Sequence, residues 1–157
     1  MITVAVVGAS AASTADEQTA YEIGGLVADA GWTLVCGGLD GVMSAACRGA
    51  AERGGLTIGL LPTDRRSDAN PWVRVAIPTG MGEARNAIVA RSADALIAIG
   101  GEFGTLSEIA LALKIGVPVI GIGTWRFERE GVSIDPIARA ANADEAVALV
   151  RRLATPG

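Results

Sequence analysis

Short runs of apolar, β-branched residues alternate along this chain with longer stretches whose apolar positions recur every three or four residues, and glycine or proline punctuates most of the junctions. Ile2 to Val7 reads as a first strand, running into Gly8-Ala9-Ser10. Asp16 to Ala30 sets Ala20, Ile23, Leu26, Val27 and Ala30 on one helical face and stops at Gly31. Trp32 to Cys36 is a second strand, Gly41 to Arg53 an alanine-rich helix closed by Gly54-Gly55, and Thr57 to Leu61 a third strand ending at Pro62. Asp64 to Pro71 is polar and reads as a loop, followed by a shorter strand from Trp72 to Ile77 and a turn at Pro78-Thr79-Gly80. The spacing then predicts a helix over Gly82 to Arg91, a strongly apolar strand over Ala93 to Ile99, a helix over Gly104 to Ile115 capped by Gly116, and a strand over Val117 to Ile122. Thr124 to Pro136 is irregular and charged, and Ala143 to Leu153 is a final helix.

Strands buried on both faces and alternating with helices predict an α/β domain with a doubly wound, mainly parallel sheet and helices on both faces. No linker, repeat or low-complexity segment divides the 157 residues, so residues 1–157 are read as one domain. In such a sheet, ligands sit beyond the carboxyl ends of the strands, near the point where strand order reverses. Those ends read Gly8-Ala9-Ser10, Cys36-Gly37-Gly38, Pro78-Thr79-Gly80 and Gly100-Gly101. Small residues there let backbone amides approach an anion. The candidate ligand-binding positions are therefore Gly8, Ser10, Gly37, Gly38, Thr79, Gly100 and Gly101.

The sharpest segment is Gly100-Gly101-Glu102-Phe103-Gly104-Thr105-Leu106-Ser107-Glu108, set between an apolar strand and an amphipathic helix. A tight turn there leaves the first helical amides, around Gly104 to Leu106, free to donate to a phosphate, and Thr105 adds a hydroxyl. The bland alternative is an ordinary capped helix start. Gly37-Gly38-Leu39-Asp40-Gly41 is a second glycine turn, serving either a ligand or close packing. Arg85, in Glu83-Ala84-Arg85-Asn86, is placed to reach a phosphate or else to sit on a solvated helix face.

Composition narrows the chemistry. The chain has no histidine and only two cysteines, Cys36 and Cys47, outside any C-x-x-C pair, which argues against a metal site and removes histidine-based catalytic triads. Cys36 reads as a small buried residue, with a thiol nucleophile as the alternative. The net charge of −4 and the scattered basic residues argue against nucleic acid as a partner. The apolar runs are too short to span a bilayer, and Met1 leads straight into a strand without a basic n-region, so no membrane association is expected and a cytoplasmic location is the expectation. Neither G-x-x-x-x-G-K-[ST] nor G-x-G-x-x-G occurs, which disfavours P-loop and NAD chemistry.

Taken together, three of these segments resemble the SLOG superfamily of Rossmann-like proteins. That group, once labelled lysine decarboxylases, includes the Lonely Guy phosphoribohydrolases and the molybdenum cofactor carrier proteins. Val35-Cys36-Gly37-Gly38 through Gly41-Val42-Met43 resembles its G-G-x-x-G-x-M element, Gly100 to Glu108 its P-G-G-x-G-T-x-x-E signature, and Glu83 to Asn86 its E-R-K helix start. The likeness spans roughly residues 2–123. It implies that Gly101, Gly104 and Thr105 form a phosphate-binding turn, and that Arg85 and Glu108 are the catalytic pair if the chain is a hydrolase. Gly100 stands in place of the signature proline, Glu102 in place of a glycine, and Asn86 in place of a lysine.

Two functions follow from that likeness. The first is a binding or carrier protein for a phosphorylated nucleotide or nucleotide-like cofactor, such as a nucleotide monophosphate or the molybdenum cofactor, with no cofactor otherwise required. The second is a nucleoside 5′-monophosphate phosphoribohydrolase releasing free base and ribose 5-phosphate. Lysine decarboxylation is set aside, because the only lysine, Lys114, lies late in a helix away from the glycine turns. The alanine-rich helices over Gly41 to Arg53 and Gly104 to Ile115 suggest close helix contacts in a homodimer or homotetramer.

Overall fold

A computed structural model describes residues 1–154. Seven parallel strands form one sheet, in the order β4-β3-β2-β1-β5-β6-β9. They are β1 (Thr3–Gly8), β2 (Thr33–Cys36), β3 (Thr57–Leu61), β4 (Val75–Pro78), β5 (Ala95–Ile99), β6 (Val119–Ile122) and β9 (Ala138–Arg139), while β7 (Glu128–Arg129) and β8 (Val132–Ser133) make a separate antiparallel hairpin. The helices are α1 (Thr14–Asp29), α2 (Val42–Glu52), α3 (Asn86–Arg91), α4 (Phe103–Lys114) and α5 (Ala143–Leu153).

The side-chain period of two along each strand divides the core into two layers. In β1, Val4 and Val6 join Ile97 and Ile99 of β5 beneath α1, α2 and α5. Ala5 and Val7 join Leu96 and Ala98 beneath α3 and α4. The central strands are thus apolar on both sides, which is why Ala95 to Ile99 reads as an unbroken hydrophobic run. No helix among the described residues is long and apolar enough to cross a membrane.

Helices α1 and α2 approach so closely that glycine is needed at their contact. A Cβ at Gly24 would collide with the Ala46 carbonyl, and one at Gly49 would collide with the Tyr21 carbonyl. The small-residue face of α2 is therefore buried inside the protein, against α1, and is not offered to a second chain.

Several boundaries differ from the sequence reading. The expected helix over Gly82 to Arg91 is divided into a 3-10 turn, Gly82–Arg85, and the short α3. The strand expected from Trp72 begins only at Val75, because the Asn70 side chain accepts the Trp72 amide and holds the chain in a turn. Within Thr124 to Pro136, Gly131 at φ +72° turns the β7–β8 hairpin. Beyond Pro136, β9 adds an unforeseen strand beside β6, aligning Ala138 with Ile120 and Arg139 with Gly121.

The helix contact is testable. Gly49→Ala would favour an isolated helix, yet here it is expected to lower stability by about 1–3 kcal/mol through overpacking. Urea unfolding that shows an unchanged or raised midpoint would contradict the close-contact account.

Candidate functional site

Strand order reverses between β1 and β5, and the loops leaving these strands part in opposite directions, toward α1 and α4. Between them lies a cleft of about 400 Å³, whose walls include Gly8, Ser10, Gly37, Arg85, Gly104, Thr105 and Glu108. These seven sequence-predicted positions come from four separate segments and are brought together. Gly38, Thr79, Gly100 and Gly101 lie outside this wall. Gly38 packs against Gly59 and Leu61, while the Thr79 hydroxyl donates to the Leu61 carbonyl at 2.7 Å and accepts the Met81 amide. Gly100 and Gly101 form the turn behind the cleft, at φ +51° and +100°, where a side chain would be strained.

That turn delivers the start of α4 to the cleft. The Leu106 amide is already bonded to the Glu102 carbonyl at 3.0 Å, so it is not the free donor expected from the sequence. The amides of Gly104 and Thr105 have no acceptor among the described residues. At the start of α2 the first amide, Val42, is taken by the Ala9 carbonyl at 3.1 Å, while the next two, Met43 and Ser44, likewise have no acceptor among the described residues. The exposed Glu102 stands at the rim, with its carboxylate unpaired among the described residues.

Arg85 and Glu108 face each other within the cleft. Arg85 is only 7% exposed and Glu108 6%, so neither occupies a solvated helix face. Arg85 Nη1 lies 3.7 Å from Glu108 Oε1, a contact of charges rather than a hydrogen bond, and Arg85 Nε has no partner. Burial pushes the Glu108 carboxyl up to about 7, with the nearby guanidinium opposing the rise. Burial also lowers the Arg85 guanidinium, against the opposing pull of Glu108. Gly37 makes room for this arrangement, since a Cβ there would run into the guanidinium.

Three features were not foreseen from the sequence. Asn86 Nδ2 donates to Ser107 Oγ at 3.0 Å, and that hydroxyl donates to the Gly104 carbonyl at 2.7 Å, tying α3 to the turn of α4 that carries the open amides. Cys36 is buried, with its Sγ 3.5 Å from that of Cys47 and 3.3 Å from the Gly38 amide that donates to it. The hydrogen bond between the two lowers the Cys36 thiol and raises that of Cys47, and the complete burial of both suits a packed pair better than an exposed nucleophile. Finally, a smaller hollow is bounded by Gly100 and Gly101 of the glycine turn and by Gly123 to Trp125. Among the described residues no cluster of three or more histidine, cysteine or acidic side chains is arranged to hold a metal.

The comparisons agree with this architecture. A family model described as the SLOG cluster4 family matches residues 1–152. The molybdenum cofactor binding protein of the phototrophic bacterium Rippkaea orientalis superposes with a TM-score of 0.88 at 36% identity, covering 96% of each chain. The molybdenum cofactor carrier protein of Chlamydomonas reinhardtii gives a TM-score of 0.86 at 36% identity over 98% of each chain. A cytokinin riboside 5′-monophosphate phosphoribohydrolase of Mycobacterium tuberculosis is 32% identical over 117 residues, which are 69% of this chain and 63% of that protein.

The raised Glu108 carboxyl has a signed consequence. Between about 4.5 and about 7 the folded protein holds a proton that the unfolded chain has released. Stability from this group is therefore complete below 4.5 and is lost as pH rises to 7, a difference of about 3 kcal/mol. Urea titrations at pH 5 and pH 8 are expected to show a larger loss in the unsubstituted protein than in Glu108→Gln. Equal losses would mean that the carboxyl is not desolvated.

Proposed function

We propose, from the premise that this chain belongs to the SLOG cluster4 family, that it is a binding and carrier protein for a phosphorylated, nucleotide-like cofactor, with the molybdenum cofactor as the leading candidate. The observation that carries this reading is the set of uncommitted donors around one cleft: the amides of Gly104 and Thr105, and the buried Arg85 whose Nε lacks a partner. A buried donor left without an acceptor is costly, and a phosphate satisfies several at once. The groups present fit such an anion. The two amides would take phosphate oxygens at the positive end of α4, and the guanidinium would add charge-assisted bonds. Proteins at 36% identity whose names specify molybdenum cofactor binding or carriage support that choice of ligand.

One observation favours a second reading, a phosphoribohydrolase. A carboxyl near 7 beside an arginine is poised for proton transfer at neutral pH, and the mycobacterial relative is named for that activity. In such a reaction Glu108 would orient water or offset the positive charge developing on the ribose, with Arg85 holding the phosphate.

Calorimetric titration with molybdenum cofactor and with AMP is expected to give binding, with no free adenine in a chromatographic assay. Gly104→Ala is the diagnostic variant. Nothing lies within 4 Å of a Cβ at that position, and the residue is helical, so the fold should be kept while a methyl group crowds the amides. Affinity is expected to fall at least tenfold without loss of thermal stability. Absence of binding at millimolar ligand would end the carrier reading. Release of adenine that disappears in both Arg85→Ala and Glu108→Ala would replace it with the hydrolase.

The assembly is proposed to be a homodimer or homotetramer built on the α3/α4 side of the sheet. Val75 and Ile77 in β4 align with Ile58 and Leu60 on that side, yet remain 42% and 43% exposed, so the apolar layer extends beyond its helices. Light scattering at micromolar concentration is expected to show a dimer or tetramer, and Ile77→Asp to shift it toward monomer. A monomer in the unsubstituted protein would refute this.

A further inference from the structure

The geometry points to Phe103 and Trp125 as a stacking subsite for the flat heterocyclic ring of the ligand, an inference that rests on the phosphate-binding reading above. Phe103 opens α4, immediately before Gly104, and is 78% exposed. Burial in the core therefore does not explain an aromatic residue there. Its ring meets that of Trp125 with centroids 5.7 Å apart and planes inclined at 33°.

Trp125 is anchored from two directions. Its indole N–H donates to the Glu102 carbonyl at 3.3 Å, and its own carbonyl accepts from Arg139 at 2.7 Å. Asp135 grips the same guanidinium through two bonds of 2.8 and 2.6 Å. The neighbouring Thr124 hydroxyl donates to the Gly100 carbonyl at 2.6 Å. The indole is thus fixed to the backbone of the very turn whose next amides are open. A ring held in place before binding loses little freedom on stacking, which is what makes an aromatic platform effective.

Beside Trp125 lies a hollow of about 300 Å³ bounded by Gly100, Gly101, Gly123, Thr124 and the indole itself. The three glycines sit at φ +51°, +100° and +55°, so bare backbone is the comfortable solution at each. A floor without side chains beside a fixed indole suits a planar group better than a branched chain. The Glu102 carbonyl that holds the indole is two residues from the Gly104 amide. A phosphate on that amide and a ring on Trp125 therefore describe one molecule: a pterin or purine joined to phosphate through a sugar or short side chain.

Two ring-bearing probes, neopterin monophosphate and AMP, are compared with two ring-free ones, glycerol phosphate and ribose 5-phosphate. Trp125→Ala is expected to weaken the ring-bearing probes by roughly tenfold or more, and to leave the ring-free ones unchanged. Quenching of tryptophan emission by the ring-bearing probes is expected to vanish in Trp125→Phe, which keeps Trp32 and Trp72. If Trp125→Ala and Phe103→Ala bind all four probes like the unsubstituted protein, the subsite is refuted while the phosphate reading stands. If none of the four binds the unsubstituted protein, both fall. If Phe103→Ala separates the oligomer and leaves ring affinity intact, the aromatic pair is an assembly contact and the inference is overturned.

Discussion

Between β1 and β5 the chain reverses the direction in which it adds strands, and the rest of the molecule follows from that reversal. Strands added on one side carry α1 and α2 to one face, while α3 and α4 cover the other. The two loops at the reversal must diverge, and the gap cannot be filled by either helical layer. Into this gap the fold directs the end of β1, the end of β2, the entrance to α3 and the start of α4. Arg85 and Glu108 arrive from the same face, far enough from water that neither is comfortable as an isolated ion. The site's chemistry is thus a product of topology first and of side-chain identity second.

Glycine serves three distinct purposes here, and the sequence does not distinguish among them. Gly24 and Gly49 let two helices touch through their backbones; Gly37 admits a guanidinium; Gly100 and Gly101 take left-handed conformations in a turn. From the chain alone, each is simply a small residue near a predicted junction. The glycine pair after Cys36 illustrates the point, because Gly37 faces the cleft while its neighbour Gly38 packs beneath Leu61.

The central strands and most helices were legible because burial on two faces leaves a strong hydrophobic trace, as in Ala95–Ile99. The meeting of Arg85 with the α4 turn was legible only through motif order, since periodicity carries no information about which loops converge. What escaped was local and polar. The Asn70 side chain that delays β4 acts on an amide two residues on, which periodicity does not register, while the Asn86–Ser107 link and the anchoring of Trp125 by Arg139 depend on hydrogen bonds between residues distant in sequence. β9 escaped because two residues are too few to display alternation, and its pairing depends on the neighbouring β6. The α2 alanines show the opposite error: a surface suited to close packing was apparent, but its partner is α1 rather than another molecule.

The outer borders of the sheet have a consequence for behaviour in a crowded solution. β4 contributes four residues and ends in Pro78, and β9 contributes only two. A border of that length offers few unpaired backbone groups, and proline removes a donor where the chain leaves the sheet. Edge-to-edge growth into fibrils therefore has little template to begin from.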